Sequence, residues 1–450
     1  MKEKVIAIYD IGKTNKKLIL FNEDFKIVSE IEEKFPEILD DDGFECDDIE
    51  HIELWIKESL AILIQSDKYE LKAVNFATYG ATLVYLDDTG KRLTPVYNYL
   101  KPMDEKIAES LYKRYGGRDE FCRRTASPAL GMLNSGLQPL WLKASKPELF
   151  ARIKHILHFP QYLSYIITGK IYSEHTSIGC HTAFWDFDNM DYHPWTRVQN
   201  LNLPSPVPVE TINEVVIDGR KIVVGIGIHD SSSSLAPYFS GSVGKFLLIS
   251  TGTWCINMNP FNTEKLTADQ LDKDCLCYIS ITRKPVKSSR LFLGHLHETA
   301  LKQINDHFGR SEDFYKKVQA DNQLSLLLKS KFGMKKVFFQ TGPYSRDLKE
   351  HIDMYEFSTF DEAYHQLMNE LGDLTIEAIN LVLPEMDDTE NIYLTGGFSK
   401  NELFQNVISG AYPDKSVYTS EIANGSALGA ALVVSGSKSA LSLGLTRCTV

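Results

Sequence analysis

Two apolar runs, Val5–Tyr9 and Leu18–Phe21, flank a polar stretch holding one glycine, an order that predicts a β-hairpin at the start of the chain. From Asp24 the segment FKIVSEI alternates as a third strand would. A helix is expected over about 49–64, with Ile49, Ile52, Leu54, Ile56, Leu60 and Leu63 as its apolar stripe, followed by a buried strand over 73–80. Residues 104–116 and 135–170 read as mainly helical, punctuated by Pro128, Pro139, Pro147 and Pro160. A proline-rich loop covers 203–210, a short buried strand 222–228, and residues 229–240 begin as a loop entering a helix.

The scheme then starts again. Residues 245–259 repeat the apolar run, small-residue turn and apolar run of the first hairpin. An amphipathic helix is expected over 362–383, a strand, glycine turn and helix over 391–412, and a last helix over 423–435. Two hairpins about 240 residues apart, each opening an α/β half, predict two similar domains facing one another, residues 1–238 and 239–450.

Composition narrows the class. A chain of 450 residues is too long for one ordinary core. With 48 basic and 60 acidic residues its net charge is −12, which gives no general attraction for nucleic acid or anionic lipid. No run reaches the roughly 20 apolar residues of a membrane span, and the first residues lack the apolar region of a signal peptide. The seven cysteines are odd in number and lack a zinc spacing, so reduced thiols and a cytoplasmic location are expected.

Four turns could carry chemistry. In Asp10–Lys17 an acid at a strand end could hold the water around a magnesium ion, while Gly12, Lys13, Thr14 and Asn15 offer backbone and side-chain donors to a phosphate; an ordinary hairpin turn uses the same residue types. Thr251, Gly252 and Thr253 repeat that arrangement. Asp230 follows a buried strand and precedes a helix, a place from which a carboxylate can take a proton from an attacking hydroxyl; it could equally be an N-cap, and His229 a structural histidine. The pair Gly396 and Gly397 stands between strand and helix, allowing close backbone approach to a ligand.

Each turn is ambiguous alone, but their order is not. DIGKTNKK, GIHDSSSS, STGTW, LTGGFSKN and the closing GSALGAALV resemble, in that order and across essentially the whole chain, the FGGY carbohydrate kinases of the actin–hexokinase–heat-shock ATPase fold. Thr78-Tyr79-Gly80, His229-Asp230, Ser250–Trp254 and the run 162–179 bring the chain nearest to the rhamnulose kinase and fuculose kinase branch. The resemblance implies two actin-like, ribonuclease H-like α/β domains with a cleft between them, and ATP-dependent phosphorylation of a ketose or related polyol. It implies Asp230 as catalytic base, Asp10 as the acid that organises Mg2+, Gly12, Lys13, Thr14 and Asn15 as the first phosphate loop and Thr251, Gly252 and Thr253 as the second. It implies Gly396, Gly397 and Asn401 as the adenosine site, and a sugar as the small-molecule partner. A homodimer is a family-level expectation.

The sugar side departs from that pattern. Where many relatives carry a Trp-x-Asp-x-Arg segment, this chain has Tyr97-Asn98-Tyr99-Leu100, and it has Pro160-Gln161-Tyr162 in place of Pro-Asp-Tyr. Thr78, Tyr79, Gly80, Thr82, Tyr97, Asn98, Gln161, His229 and Asp230 are therefore the candidate sugar contacts, with packing the competing reading for the tyrosines. His295-Leu296-His297-Glu298 lacks the spacing of a zinc helix and reads as a solvated helix start; Asp40, Asp41, Asp42, Asp47 and Asp48 read as a solvated acidic loop. An actin- or chaperone-like ATPase and a non-catalytic sugar sensor are the competing functions.

Overall fold

The repeated hairpins become two mixed sheets with the same strand order. The computed structural model describes residues 2–333, 335–340, 348–349, 352–437 and 441–448. In the first sheet the lead strand Glu3–Ile11 pairs antiparallel with Lys16–Phe21, which pairs antiparallel with Ile27–Glu33. On its other side it runs parallel to Tyr69–Thr78, which in turn runs parallel to Arg220–Gly225 and Ile228–His229. In the second sheet the lead strand Phe246–Thr251 pairs antiparallel with Cys255–Asn259, which pairs antiparallel with Pro285–Leu291. Its other neighbour, Asn391–Gly396, is parallel and is followed by parallel Ser416–Ser420. Val5, Ala7, Ile8 and Tyr9 are buried on both faces of the first lead strand, which is why that run is continuous and does not alternate.

Helices cover both faces of the first sheet. Ile49–Gln65 is opened by Asp48, whose carboxylate accepts the His51 N–H, and it buries Ile49, Ile52, Ile56, Leu60, Leu63 and Ile64. Leu54, expected in that stripe, faces solvent at 52% exposure because it lies off the three-and-four spacing. Phe159–Thr168 packs on the same side. The region 135–170 is not mainly helical throughout: His155–His158 is a strand paired with Leu83–Leu86.

The opposite face is covered from the far end of the chain. The helix Gly425–Ser435 lays Ala427, Leu428, Ala431 and Val434 against Ile6, Ile8, Ile19 and Ala77. Asn75 Nδ2 donates to the Ala430 carbonyl at 3.0 Å. A Cβ on Gly429 would stand 1.9 Å from the Ser233 carbonyl oxygen, so glycine is what lets this helix sit against the segment that follows Asp230. The closing helix of the second half thus completes the core of the first. Among the described residues no helix is long and apolar enough to cross a membrane, and the seven cysteines form no disulfide.

Candidate active site

Parallel pairing brings two carboxylates together. Asp10 is next to last on the lead strand, and Asp230 follows directly on Ile228–His229, which pairs with the strand beside it. Burial and the negative charge of Asp230 push the Asp10 carboxyl up to about 7, with Lys17 opposing. Asp230 is half-buried, and its Oδ1 accepts the Ser231 N–H at 2.5 Å and the Ser231 hydroxyl at 3.1 Å. After Asp10 the hairpin turns through Gly12, whose N–H donates to the Asn15 carbonyl at 2.9 Å; Thr14 is exposed at its tip.

The segment carrying Asp230 is held from behind by buried polar side chains. Gln161 Nε2 donates to the carbonyls of Gly227, at 3.0 Å, and Ile226, at 3.3 Å. Asn75 Oδ1 takes the Gly227 N–H and Ser164 Oγ donates to the Gly225 carbonyl. Glu174 is fully buried and accepts the Thr176 hydroxyl at 2.5 Å; the Thr176 oxygen in turn accepts the His229 N–H at 3.1 Å. Gly80 presses on the His229 ring: a Cβ there would lie 3.2 Å from it and 2.9 Å from Cys180 Sγ.

The second half presents small, neutral turns. Gly252 N–H donates to the Trp254 carbonyl at 2.9 Å, and Gly252 and Thr253 are exposed. The neighbouring turn is locked on by Thr251, whose hydroxyl donates to the Thr395 carbonyl at 2.6 Å and accepts the Phe398 N–H at 3.0 Å. Gly396, at φ +87°, is the contact point, since a Cβ would fall 1.7 Å from the Thr251 carbonyl oxygen. Gly397 faces open space. Between the turns lies a cavity of about 750 Å³ lined by Gly252, Thr253, His297, Tyr364, Gly397 and Asn401, among others. Asn401 caps the helix Glu402–Ala411 by accepting the Phe404 N–H, and its amide donates to Tyr364 Oη at 3.0 Å.

Comparison with known proteins accounts for both halves. Residues 5–205 match the model of the FGGY family of carbohydrate kinases, N-terminal domain, and residues 243–441 that of the carbohydrate kinase FGGY, C-terminal domain. The chain belongs to the FGGY family of carbohydrate kinases. It is 28% identical over 226 residues to a rhamnulokinase of Yersinia pestis (strain Pestoides F), covering 48% of this chain and 45% of that protein. It is 24% identical over 261 residues to a rhamnulokinase of Halalkalibacterium halodurans, covering 55% and 54%. The chain thus spans about half the length of the curated relatives it matches. Its fold follows a carbohydrate kinase from Novosphingobium aromaticivorans with a TM-score of 0.82 at 21% identity, over 100% of this chain and 94% of that one. A ligand-bound xylulose kinase from Lactobacillus acidophilus follows with 0.76 at 14% identity, over 99% and 93%. The two-domain α/β fold is therefore that of the carbohydrate kinases.

Within this FGGY fold several singled-out side chains are engaged by neighbouring groups of the protein itself. Lys13 Nζ is tied to Glu37 at 2.6 Å and Asp47 at 2.9 Å. Tyr79 donates its hydroxyl to Asp47 at 2.6 Å and packs its ring on Phe159. Tyr97 packs on Trp141 and hydrogen-bonds Asp41, and Asn98 donates its amide to the Glu45 carbonyl and accepts the Leu100 N–H. Thr78 and Thr82 are buried, with the Thr78 hydroxyl on the Tyr79 carbonyl. Gln161 is a strut under the Asp230 segment.

The acidic run is not a solvated loop throughout. Asp40 is buried on Lys101 at 2.5 Å, and Asp47 is buried on Lys16 at 2.8 Å as well as on Lys13 and Tyr79. The helix start at His295 is only half solvated: His297 is buried in the cavity wall beside Tyr364 and Phe398, and burial lowers its pKa to about 4. Its place one turn below Gly294, which abuts Thr253, is a signal that spacing alone does not give.

Proposed function

We propose that this FGGY protein transfers the γ-phosphoryl group of ATP to a hydroxyl of a ketose such as rhamnulose, fuculose or xylulose, or of a related polyol. The observation that carries the proposal is the placing of Asp10 and Asp230 at the ends of the two strands that flank Tyr69–Thr78, opposite a second half whose turns offer backbone N–H groups and hydroxyls. Burial first, and the negative charge of Asp230 second, raise the Asp10 carboxyl to about 7, and a carboxylate so placed would suit the water shell of a divalent cation. Asp10 would hold Mg2+ through its water shell, and the ion would supply neutralisation of phosphate charge. Asp230 accepts the proton of the attacking hydroxyl, its carboxylate oriented by Ser231. Gly252, Thr253 and Gly397 receive the nucleotide without side-chain obstruction, Asn401 and Tyr364 shape its base end, and closure of the two halves excludes water. A cavity of about 750 Å³ lies within the usual range for a nucleotide-sized ligand.

The test is sugar-dependent ADP release with Mg-ATP across rhamnulose, fuculose, xylulose, ribulose, glycerol, erythritol and their enantiomers. One acceptor should give turnover far above the background ATPase rate. Asp230→Asn should retain ATP binding and lose at least 100-fold in kcat. Substantial residual turnover in that variant would sink the assignment of the base.

A further inference from the structure

The His229 ring lies between groups that decide where its proton sits. Ser232 Oγ donates its single proton to the Ile279 carbonyl at 2.9 Å, so toward His229 Nδ1, 3.4 Å away, the serine oxygen can only accept. That places the ring proton on Nδ1 and leaves a lone pair on Nε2. Cys180 Sγ stands 3.0 Å from Nε2, and burial keeps this thiol protonated, so it donates to that lone pair. Asp230 Oδ1 is 3.2 Å from the same Nε2. In the resting protein both lone pairs are satisfied separately, Nε2 by the thiol and Oδ1 by Ser231.

We propose that His229 Nε2 is the acceptor that receives the hydrogen bond of Asp230 once Asp230 has taken the substrate proton, and that Cys180 and Ser232 are positioning residues fixing the tautomer this requires. The proposal rests on Asp230 being the base. In the step, the sugar O–H bond breaks and its proton passes to Asp230. The freed electron pair forms the new O–P bond as the bond from phosphorus to the ADP oxygen breaks. The new carboxylic acid donates from Oδ1 to Nε2, displacing the weaker thiol donor. The opposite tautomer would aim an N–H at Asp230, favour its ionised form and make it a poorer base. The other titratable groups facing His229 are His158, His181 and Tyr278, the last with its ring 5.8 Å from that of His229; the backbone N–H of His229 is held by Thr176.

The experiment is 15N NMR of the full-length protein labelled at histidine, with kcat and KM measured on the acceptor found in the panel above. Wild type should show a pyridine-type Nε2 and a pyrrole-type Nδ1 at His229; the reverse overturns the proposal without need of any variant. Cys180→Ala should reverse the tautomer and lower kcat about 10-fold, as one pKa unit at the base implies, with the sugar KM within 2-fold of wild type. Cys180→Ser, which keeps a donor, should restore the tautomer and most of kcat. A folded Cys180→Ala with unchanged tautomer and kcat also overturns the proposal. Full activity in Asp230→Asn would instead remove the reading on which it rests, so the two failures are distinguishable.

Discussion

Replacing Asp47 by Asn tests the ionic hub that anchors the first hairpin. Its carboxylate takes Lys16 at 2.8 Å, Lys13 at 2.9 Å and the Tyr79 hydroxyl at 2.6 Å, with Asp47 5% and Lys16 1% exposed. Removing the charge leaves the Lys16 ammonium buried with the Lys13 carbonyl as its remaining acceptor. Breaking one partner of a buried pair costs about 3–5 kcal/mol. The amide oxygen of Asn can still take one donor, which favours the lower half of that range. Against a domain stability of about 5–15 kcal/mol this is a large fraction. Urea unfolding at pH 7, followed at the first transition, should show the loss as a lower midpoint at unchanged slope. Adding Lys16→Met to the variant should recover a substantial part, because the orphaned charge is gone. A single variant within about 1 kcal/mol of wild type, or a double variant no more stable than the single, would refute the reasoning. The pH dependence has a definite sign. Burial opposes the Asp47 charge, but Lys16, Tyr79 and Lys13 outweigh it and hold the carboxyl below its ordinary value. Its contribution is complete above about pH 4 and is lost as pH falls through the folded value, so wild type and variant should converge only in acid.

Gly396→Ala should cost at least about 2 kcal/mol in thermal or urea unfolding, because its Cβ meets backbone at φ +87°. Gly397→Ala next door should change stability by under about 0.5 kcal/mol, yet raise the KM for ATP by filling the cavity mouth. Asp10→Asn should stabilise the metal-free protein by about 4 kcal/mol above pH 7 while abolishing turnover. Since the folded carboxyl stays protonated to about 7 and the unfolded one ionises near 4, that gain should grow between those values and then level off, as melting curves at pH 4, 6 and 8 would show.

The hairpins, the Asp230 segment and the double-glycine turn were legible because each is a local pattern: an apolar run ending in small or acidic residues. What escaped depends on partners far away in the chain. Asp40 and Asp47 have the same neighbours in sequence as the exposed acids around them, and only the approach of Lys101, Lys13 and Lys16 makes them buried anchors. His297 looked solvated because its helix was read without the turn at Thr253 that covers one side. Gln161 stands where a carboxylate would be expected to touch sugar; its amide nitrogen is committed to Ile226 and Gly227, and its amide oxygen is buried with no partner among the described residues. The closing helix has the small-residue pattern of a tightly packed element, yet nothing local says that the sheet it covers lies more than 350 residues earlier, at Asn75.

The two halves repeat a backbone and divide a charge. Asp10 and Ser250 occupy equivalent places, each one residue before the end of its lead strand, and Gly12 and Gly252 open the two turns, each donating its N–H to a carbonyl further along, three residues on for Gly12 and two for Gly252. The first half then gathers carboxylates, Asp10 with Asp230, and commits Lys13 to Asp47 and Glu37 and Lys17, which faces Asp10 across the hairpin, to Glu30. The second half sets glycine, threonine and asparagine at its turns, although Glu298, Lys302, Asp306, Arg310, Glu312 and Asp313 also line the cavity beside them. A polyphosphate approaching the first turn would meet negative charge, whereas at the second it meets backbone N–H groups and hydroxyls. On the proposed reaction this asymmetry assigns the sides of the cleft: nucleotide on the second half, hydroxyl acceptor on the first. A phosphoryl group brought to this side would need the charge neutralisation that a cation held at Asp10 would supply. Adding a carboxylate to the second turn tests that division. Ser250→Asp should weaken ATP binding with little effect on the acceptor KM, and an equal loss on both substrates would show that the halves do not divide the work.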